Sequence, residues 1–426
     1  MNLNTTATPP APGGDASSNR DLRIFVFALF FIFGGITSLN DVLIPKLKSF
    51  FALSYAEVML VQSAFFLAYF LVSAPAGRLV QRVGYMRSAV IGLLTMAAGC
   101  LLFIPASFAG VFATFLLALF VLASGITIVQ VVANPLISLL GDPRTAHSRL
   151  TFAQAFNSLG TTVFPYVGAL LILGSLAQVD VSTLSGEALA AFRRQEIHVV
   201  DRTYFGLALA LLIIAALVWR GRHRLVERRG ASVSLRQSLD LFRRPRFAFG
   251  TLGIFLYVGA EVAIGSVMVS YLMREDTLAL ASQAAGERVA FYWGGAMVGR
   301  FIGAALLRRF APGAVLALAA GGAISLLLLS GLSTGTLSGL ALIAVGLCNS
   351  IMFPTIFALA SEGLGERAAE GSGLICMAIV GGAIVPLLTG AVADAASLRL
   401  ALGVPAICYL GIAAFGRYCR RHPVAV

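Results

Sequence analysis

Charge is scarce in this 426-residue chain: Asp, Glu, Lys and Arg make up 12% of it, against 58% hydrophobic residues. With a mean hydropathy of +0.90, that balance excludes an ordinary water-soluble domain. Histidine is scarcer still, and His147, His198, His223 and His422 all fall in expected loops or the tail, so they offer no intramembrane metal site. Cys100, Cys348, Cys376, Cys408 and Cys419 lie in or beside apolar runs without ligand spacing, which implies neither a metal centre nor a disulfide framework. A phosphate-cradling Gly-Lys loop, a Cys-His pair at membrane depth and a soluble ATP-binding domain are all missing, which leaves no basis for an enzyme, a bound cofactor or ATP-driven transport. Short alternating segments are missing too, which excludes a membrane barrel.

What is present is a succession of apolar runs, each long enough to cross about 30 Å of hydrocarbon at about 1.5 Å per residue. Twelve spans are expected, at 22–46, 56–79, 86–105, 110–140, 149–175, 202–220, 247–273, 286–308, 313–331, 336–361, 369–393 and 398–417. Residues 1–21, rich in Pro, Ala, Ser and Thr and lacking a cleavable signal's order, read as a disordered tail. Two bundles, 22–220 and 247–418, flank a basic linker at 221–246, and 419–426 form a second tail. The net charge of +12 does not point to nucleic acid, because the basic residues fall between the spans rather than on one soluble face. Their bias toward alternate loops puts both termini in the cytoplasm by the positive-inside rule. The linker, with Leu239, Leu241 and Phe242 on one side, reads either as an amphipathic segment on the anionic leaflet or simply as a topology determinant.

Internal matches support the six-plus-six division. Gly77–Arg82 resembles Gly303–Arg309, Asn134-Pro135-Leu136-Ile137 resembles Phe353-Pro354-Thr355-Ile356, and Gly160–Pro165 resembles Gly381–Pro386. Three matches in one order predict two parallel halves related by an axis along the membrane normal, the architecture of an alternating-access carrier. Aligning Phe31-Ile32-Phe33-Gly34-Gly35 with Phe255-Leu256-Tyr257-Val258-Gly259 places Glu261 opposite Thr37.

Polar residues inside the spans are few: Asn40 and Asp41 in the first, Gln62 in the second, Gln130 and Asn134 in the fourth, Gln154 and Asn157 in the fifth, Glu261 in the seventh and Asn349 in the tenth. A carboxylate at membrane depth costs about 2.5–3.5 kcal/mol on insertion scales, so Asp41 and Glu261 are candidate proton sites, with water access or a structural partner as the plainer alternative. Amides three or four apart share a helix face and suit a ligand covered in hydroxyls. Interhelical hydrogen bonding, worth about 0.6 kcal/mol on average, competes with that reading for each of them. Trp293, beside Tyr292, could stack on a sugar ring or pack in the core.

The stretches Asn40–Pro45, Gln62–Phe66, Ala133–Pro135, Arg149–Gly160 and Phe255–Glu261 resemble the fucose:proton symporter family of the major facilitator superfamily, over about residues 22–418. The resemblance implies an all-α membrane protein of twelve transmembrane helices in two pseudo-symmetric six-helix bundles, resident as a monomer in a bacterial inner membrane. It implies sugar import driven by an ion gradient, with Asp41 tied to proton coupling and sugar recognition, and Gln154 and Asn157 touching the sugar. The fucose transporter has a glutamate where Gln130 stands and an asparagine where Ser38 stands, so the expected substrate shifts to glucose, galactose or fructose. The superfamily signature after the second span carries an aspartate where this chain has Gln81. Sodium coupling, drug or metabolite export, and a non-transporting sugar sensor are the alternatives.

Overall fold

The computed structural model describes residues 16–51, 60–168, 186–222 and 238–424, with the side chains of 16–21, 39–50, 62, 143, 165–168, 187–200, 282 and 283 outside that description. The twelve spans are filled by α1 (Ala16–Phe51), α2 (Leu60–Val83), α3 (Tyr85–Ala109), α4 (Phe112–Leu139), α5 (Ala146–Gly168), α6 (Gly186–Arg220), α7 (Pro245–Leu272), α8 (Ser282–Leu306), α9 (Pro312–Leu332), a broken α10 (Gly335–Asn349 and Met352–Ser361), a broken α11 (Ala368–Met377 and Gly381–Ala395) and α12 (Gly403–Arg421). Ten of the spans, counting each broken helix once, are long and apolar enough to cross a membrane, and α1 adds the shorter apolar stretch Leu22–Ser38. Leucines such as Leu318 and Leu332, 77% and 85% exposed, face outward as a lipid-facing surface requires.

In lipid, helices gain little from burying apolar area against one another, so close packing of small residues has to hold them together. Gly160 of α5 lies so near α1 that a Cβ there would strike the Phe31 carbonyl, and Gly381 of α11 lies equally near the Phe255 carbonyl of α7. The second contact of each pair repeats as well, with Gly35 against Phe164 and Gly259 against Val385. The alignment of Phe31 with Phe255 and of Gly160 with Gly381 is therefore a physical equivalence of the two halves.

Local differences from expectation have local causes. Helix α1 begins at Ala16, within the stretch expected to be tail, and α6 begins at Gly186, well before 202. Residues 223–237 of the linker lie outside the description. Its end forms a 3-10 turn, Leu239–Arg243, in which Leu241 is buried and Phe242 meets Phe247 edge-on at 5.3 Å, so this part packs on the C-terminal half. The tenth span breaks at Ser350 and Ile351, just before Pro354. Proline fits the first turn of the second segment but has no N–H to donate to the carbonyl four residues back, which is that of Ser350. The eleventh span breaks at a 3-10 turn, Ala378–Val380, directly before Gly381.

Candidate functional site

In the part of the bundle nearer the linker, hydrogen bonds and ion pairs join the two halves. Gln81 of α2 donates to Glu370 of α11 at 3.2 Å, and Ser148 of α5 donates to the Ala304 carbonyl of α8 at 2.7 Å. His147 Nε2 lies 2.8 Å from Glu362, which also pairs with Arg246 at 2.8 Å. His147 opens α5 in a buried position rather than sitting in a loop. Ser372 of α11 donates to the Val131 carbonyl of α4 at 2.9 Å. The linker joins this seal through Asp240, which pairs with Arg367 at 2.6 Å while Arg367 also grips Glu370 at 2.7 Å. The hydrogen bond from Arg367 holds the Asp240 carboxyl below the ordinary aspartate range.

Of the expected site residues, Asn40, Asp41 and Gln62 have side chains outside the description, although Asn40 and Asp41 fall in α1 and Gln62 in α2. In the fourth span, Gln130 accepts a hydrogen bond from Tyr69 of α2 at 2.7 Å, both residues being buried. One turn away, Asn134 is fully buried, and its amide meets no nitrogen or oxygen partner, only the weakly bonding thiol of Cys376 on α11. In the fifth span the two amides diverge in their contacts. Asn157 donates to the Phe30 carbonyl of α1 at 3.3 Å, whereas Gln154 is buried and it is its main-chain carbonyl, not its amide, that accepts from Arg300. Ser38 turns its hydroxyl back to the Gly35 carbonyl at 2.9 Å.

The C-terminal half gathers its polar residues into one chain. Tyr257 donates to Glu261 Oε1 at 2.7 Å, one turn along α7, and the same hydroxyl lies 3.2 Å from the Asn349 carbonyl. The Asn349 side chain donates to Tyr292 at 2.7 Å and accepts from Tyr409 at 2.6 Å. Asn349, Tyr257, Tyr292 and Tyr409 are buried, so Asn349 spends its amide on holding phenols in place, while Glu261 keeps partial exposure. Trp293 is 45% exposed and meets Tyr292 edge-on at 5.1 Å, which sets it on the surface of α8 rather than in the core.

Arg300 of α8 is a further functional candidate, neither a carboxylate nor an amide. Its guanidinium donates to the Ser158 hydroxyl and to the Gln154 carbonyl of α5, and through Nε to the Ser350 carbonyl at 3.3 Å. It thus fills the acceptor that Pro354 leaves open and ties it to the opposite half. A lone arginine inside an apolar span was the available signal, by the same cost argument that singled out Asp41. Among the described residues, no group of three or more His, Cys, Asp or Glu side chains is arranged to hold a metal.

The profile of the Major Facilitator Superfamily matches residues 25–379. The glucose/galactose transporter of Brucella abortus (strain 9-941) is 48% identical over 388 residues, covering 91% of each chain. The L-fucose-proton symporter of Escherichia coli (strain K12) is 33% identical over 423 residues, covering 95% of each chain. The crystal structure of the transporter FucP in the outward conformation superposes with a TM-score of 0.87 at 32% identity, covering 94% of this chain and 99% of that one.

Proposed function

From the premise that this chain belongs to the Major Facilitator Superfamily, we propose that it is a secondary carrier that brings a hexose into the cytoplasm together with a proton. The observation that carries the alternating-access reading is closure at the linker end, where polar ties join the two halves. With the termini and the basic linker on the cytoplasmic face, that closure seals the cytoplasmic side, in keeping with the likeness to FucP in the outward conformation. The choice of glucose or galactose over fucose is supported by 48% identity to a glucose/galactose transporter and by Gln130, an amide held by Tyr69.

In this reading Asp41 and Glu261 hold the coupling proton. A carboxyl withdrawn from water favours its neutral form, so protonation accompanies closure around the sugar and release follows opening to the cytoplasm. Asn40, Gln62, Gln130, Asn134, Gln154, Asn157, Trp293 and Asn349 complete the proposed sugar site, by direct contact or by holding its wall. The carrier works as a monomer in a bacterial inner membrane.

The test is a sugar-induced pH change in proteoliposomes loaded with the purified protein. Glucose, galactose and fructose are compared with fucose, in sodium and in choline buffers. Alkalinisation outside on adding a hexose, unchanged in choline, is the expected result. Uptake that demands sodium would replace the proton, and no flux with any sugar would favour a sensor. Asp41→Asn is expected to keep exchange and lose uphill accumulation; accumulation at the wild-type level would remove Asp41 from coupling.

A further inference from the structure

We propose that Tyr257 and Arg300 form a relay that reports the protonation of Glu261 to the seam between the two halves. The inference rests on the reading above that Glu261 exchanges the coupling proton, and it concerns how that event reaches the gate.

Tyr257 has one hydroxyl proton and two acceptors in reach, Glu261 Oε1 at 2.7 Å and the Asn349 carbonyl at 3.2 Å. An ionised carboxylate is a pure acceptor and holds that proton. A protonated carboxyl has an O–H of its own, which it donates to the Tyr257 oxygen, and the phenol proton then turns to the Asn349 carbonyl. The tyrosine stays neutral throughout, and the only proton gained or lost is the one on Glu261. Loading Glu261 therefore strengthens a hydrogen bond at the last residue of the first α10 segment.

That residue adjoins the break. The next carbonyl, of Ser350, lacks a helical donor because of Pro354, and Arg300 supplies one while gripping Gln154 and Ser158 of α5. A shift at Asn349 thus bears directly on the acceptor that positions Arg300. Charge acts along the same line. The titratable and charged groups that face Glu261, among the described residues, are Tyr257 on its own helix, Arg300 and Tyr292 on α8, and Tyr409 on α12. Arg300 is the one cation of that group. An ionised Glu261 draws the guanidinium toward α7; a neutral one leaves it on α5. The far end of the bridge is the main-chain carbonyl of Gln154, whose side chain belongs to the proposed sugar site, so the relay reaches the helix turn that carries a sugar residue.

The experiment measures glucose exchange in proteoliposomes as a function of pH for the wild type and for Glu261→Gln, Tyr257→Phe, Arg300→Lys and Arg300→Gln, each first checked for thermal stability. Glu261→Gln is expected to flatten the pH profile, and Tyr257→Phe to flatten it similarly although its carboxyl is intact. Arg300→Gln should lose at least about fivefold of the pH response, the low end of ordinary coupling between sites, and Arg300→Lys should restore part of it. A wild-type profile in Glu261→Gln sinks the underlying reading of that residue. A flat profile there with a wild-type profile in Tyr257→Phe, or a loss of rate equal at every pH, overturns the relay alone. If Tyr257→Phe does not fold, the two Arg300 variants decide: wild-type pH dependence in both overturns it.

Discussion

Asn134 and Asn349 are both fully buried asparagines in the corresponding fourth helices of their halves, and they are treated in opposite ways. Asn349 has its amide filled by Tyr292 and Tyr409, whereas Asn134 has only the weakly bonding Cys376 thiol beside its amide. The halves share their backbone contacts, as Gly160 and Gly381 show, yet one presents a weakly held amide and the other a saturated network around a carboxylate. Duplication supplied the frame, and the side chains divided it: the N-terminal half leaves a buried amide weakly held, and the C-terminal half fixes a carboxyl among hydrogen-bonded phenols.

The largest expected effect comes from making the same substitution on both sides. Asn349→Leu orphans two buried phenols and is expected to cost about 1–3 kcal/mol for each. Asn134→Leu loses at most a weak contact with the Cys376 thiol and is expected to be near neutral or stabilising, while lowering transport if the amide meets sugar hydroxyls in another state. Thermal unfolding in detergent measures both, and equal destabilisation would break the contrast.

Next in size is a test of what the halves share. Gly160→Ala and Gly381→Ala each place a methyl against a backbone carbonyl, which cannot move aside as a side chain can. Each is expected to cost about 1–3 kcal/mol, the usual range for overpacking. Similar losses would confirm the equivalence at the level of energy, and a loss at one position only would confine it to geometry.

The scaffold was legible because it is written in composition and repetition. Gly160 and Gly381 could be matched from sequence because close helix contact in lipid needs small residues in register. The polar chemistry was only half legible. Glu261 stood out by its cost in an apolar span, but Tyr257, Tyr292 and Tyr409 did not, since tyrosine is unremarkable in a membrane helix and its hydroxyl matters only through a partner distant in sequence. Arg300 obeys the same cost argument as Asp41, and only a search confined to acids and amides hid it. Gln81 replaces a signature aspartate yet still crosses the seam, because an amide can donate to Glu370 without carrying charge.

A smaller effect is expected from Tyr69→Phe, which removes the one hydrogen bond held by the Gln130 carbonyl and leaves the ring in place. A neutral hydrogen bond contributes about 0.5–1.5 kcal/mol net, so glucose affinity should change by about 2- to 12-fold with little change in its pH dependence. A flattened pH profile here would mean that the N-terminal half takes part in switching as well as in recognition.

The smallest change is expected at the linker, and its pH dependence separates it from Glu261. Asp240 is held low by Arg367, so their contact contributes above the unfolded aspartate value of about 3.9 and is lost only as pH falls through the still lower folded value. From about pH 5.5 to 7.5 the contact stays intact. Asp240→Asn should therefore shift the exchange rate by one modest factor across that range, leaving the slope untouched, whereas Glu261→Gln should change the slope itself. Because Asp240 is exposed and pairs in high dielectric, the factor is small. Measured side by side, a change of slope in Asp240→Asn would place proton sensing at the seal as well as in the C-terminal network, and a constant factor would leave the seal as a latch that the network opens.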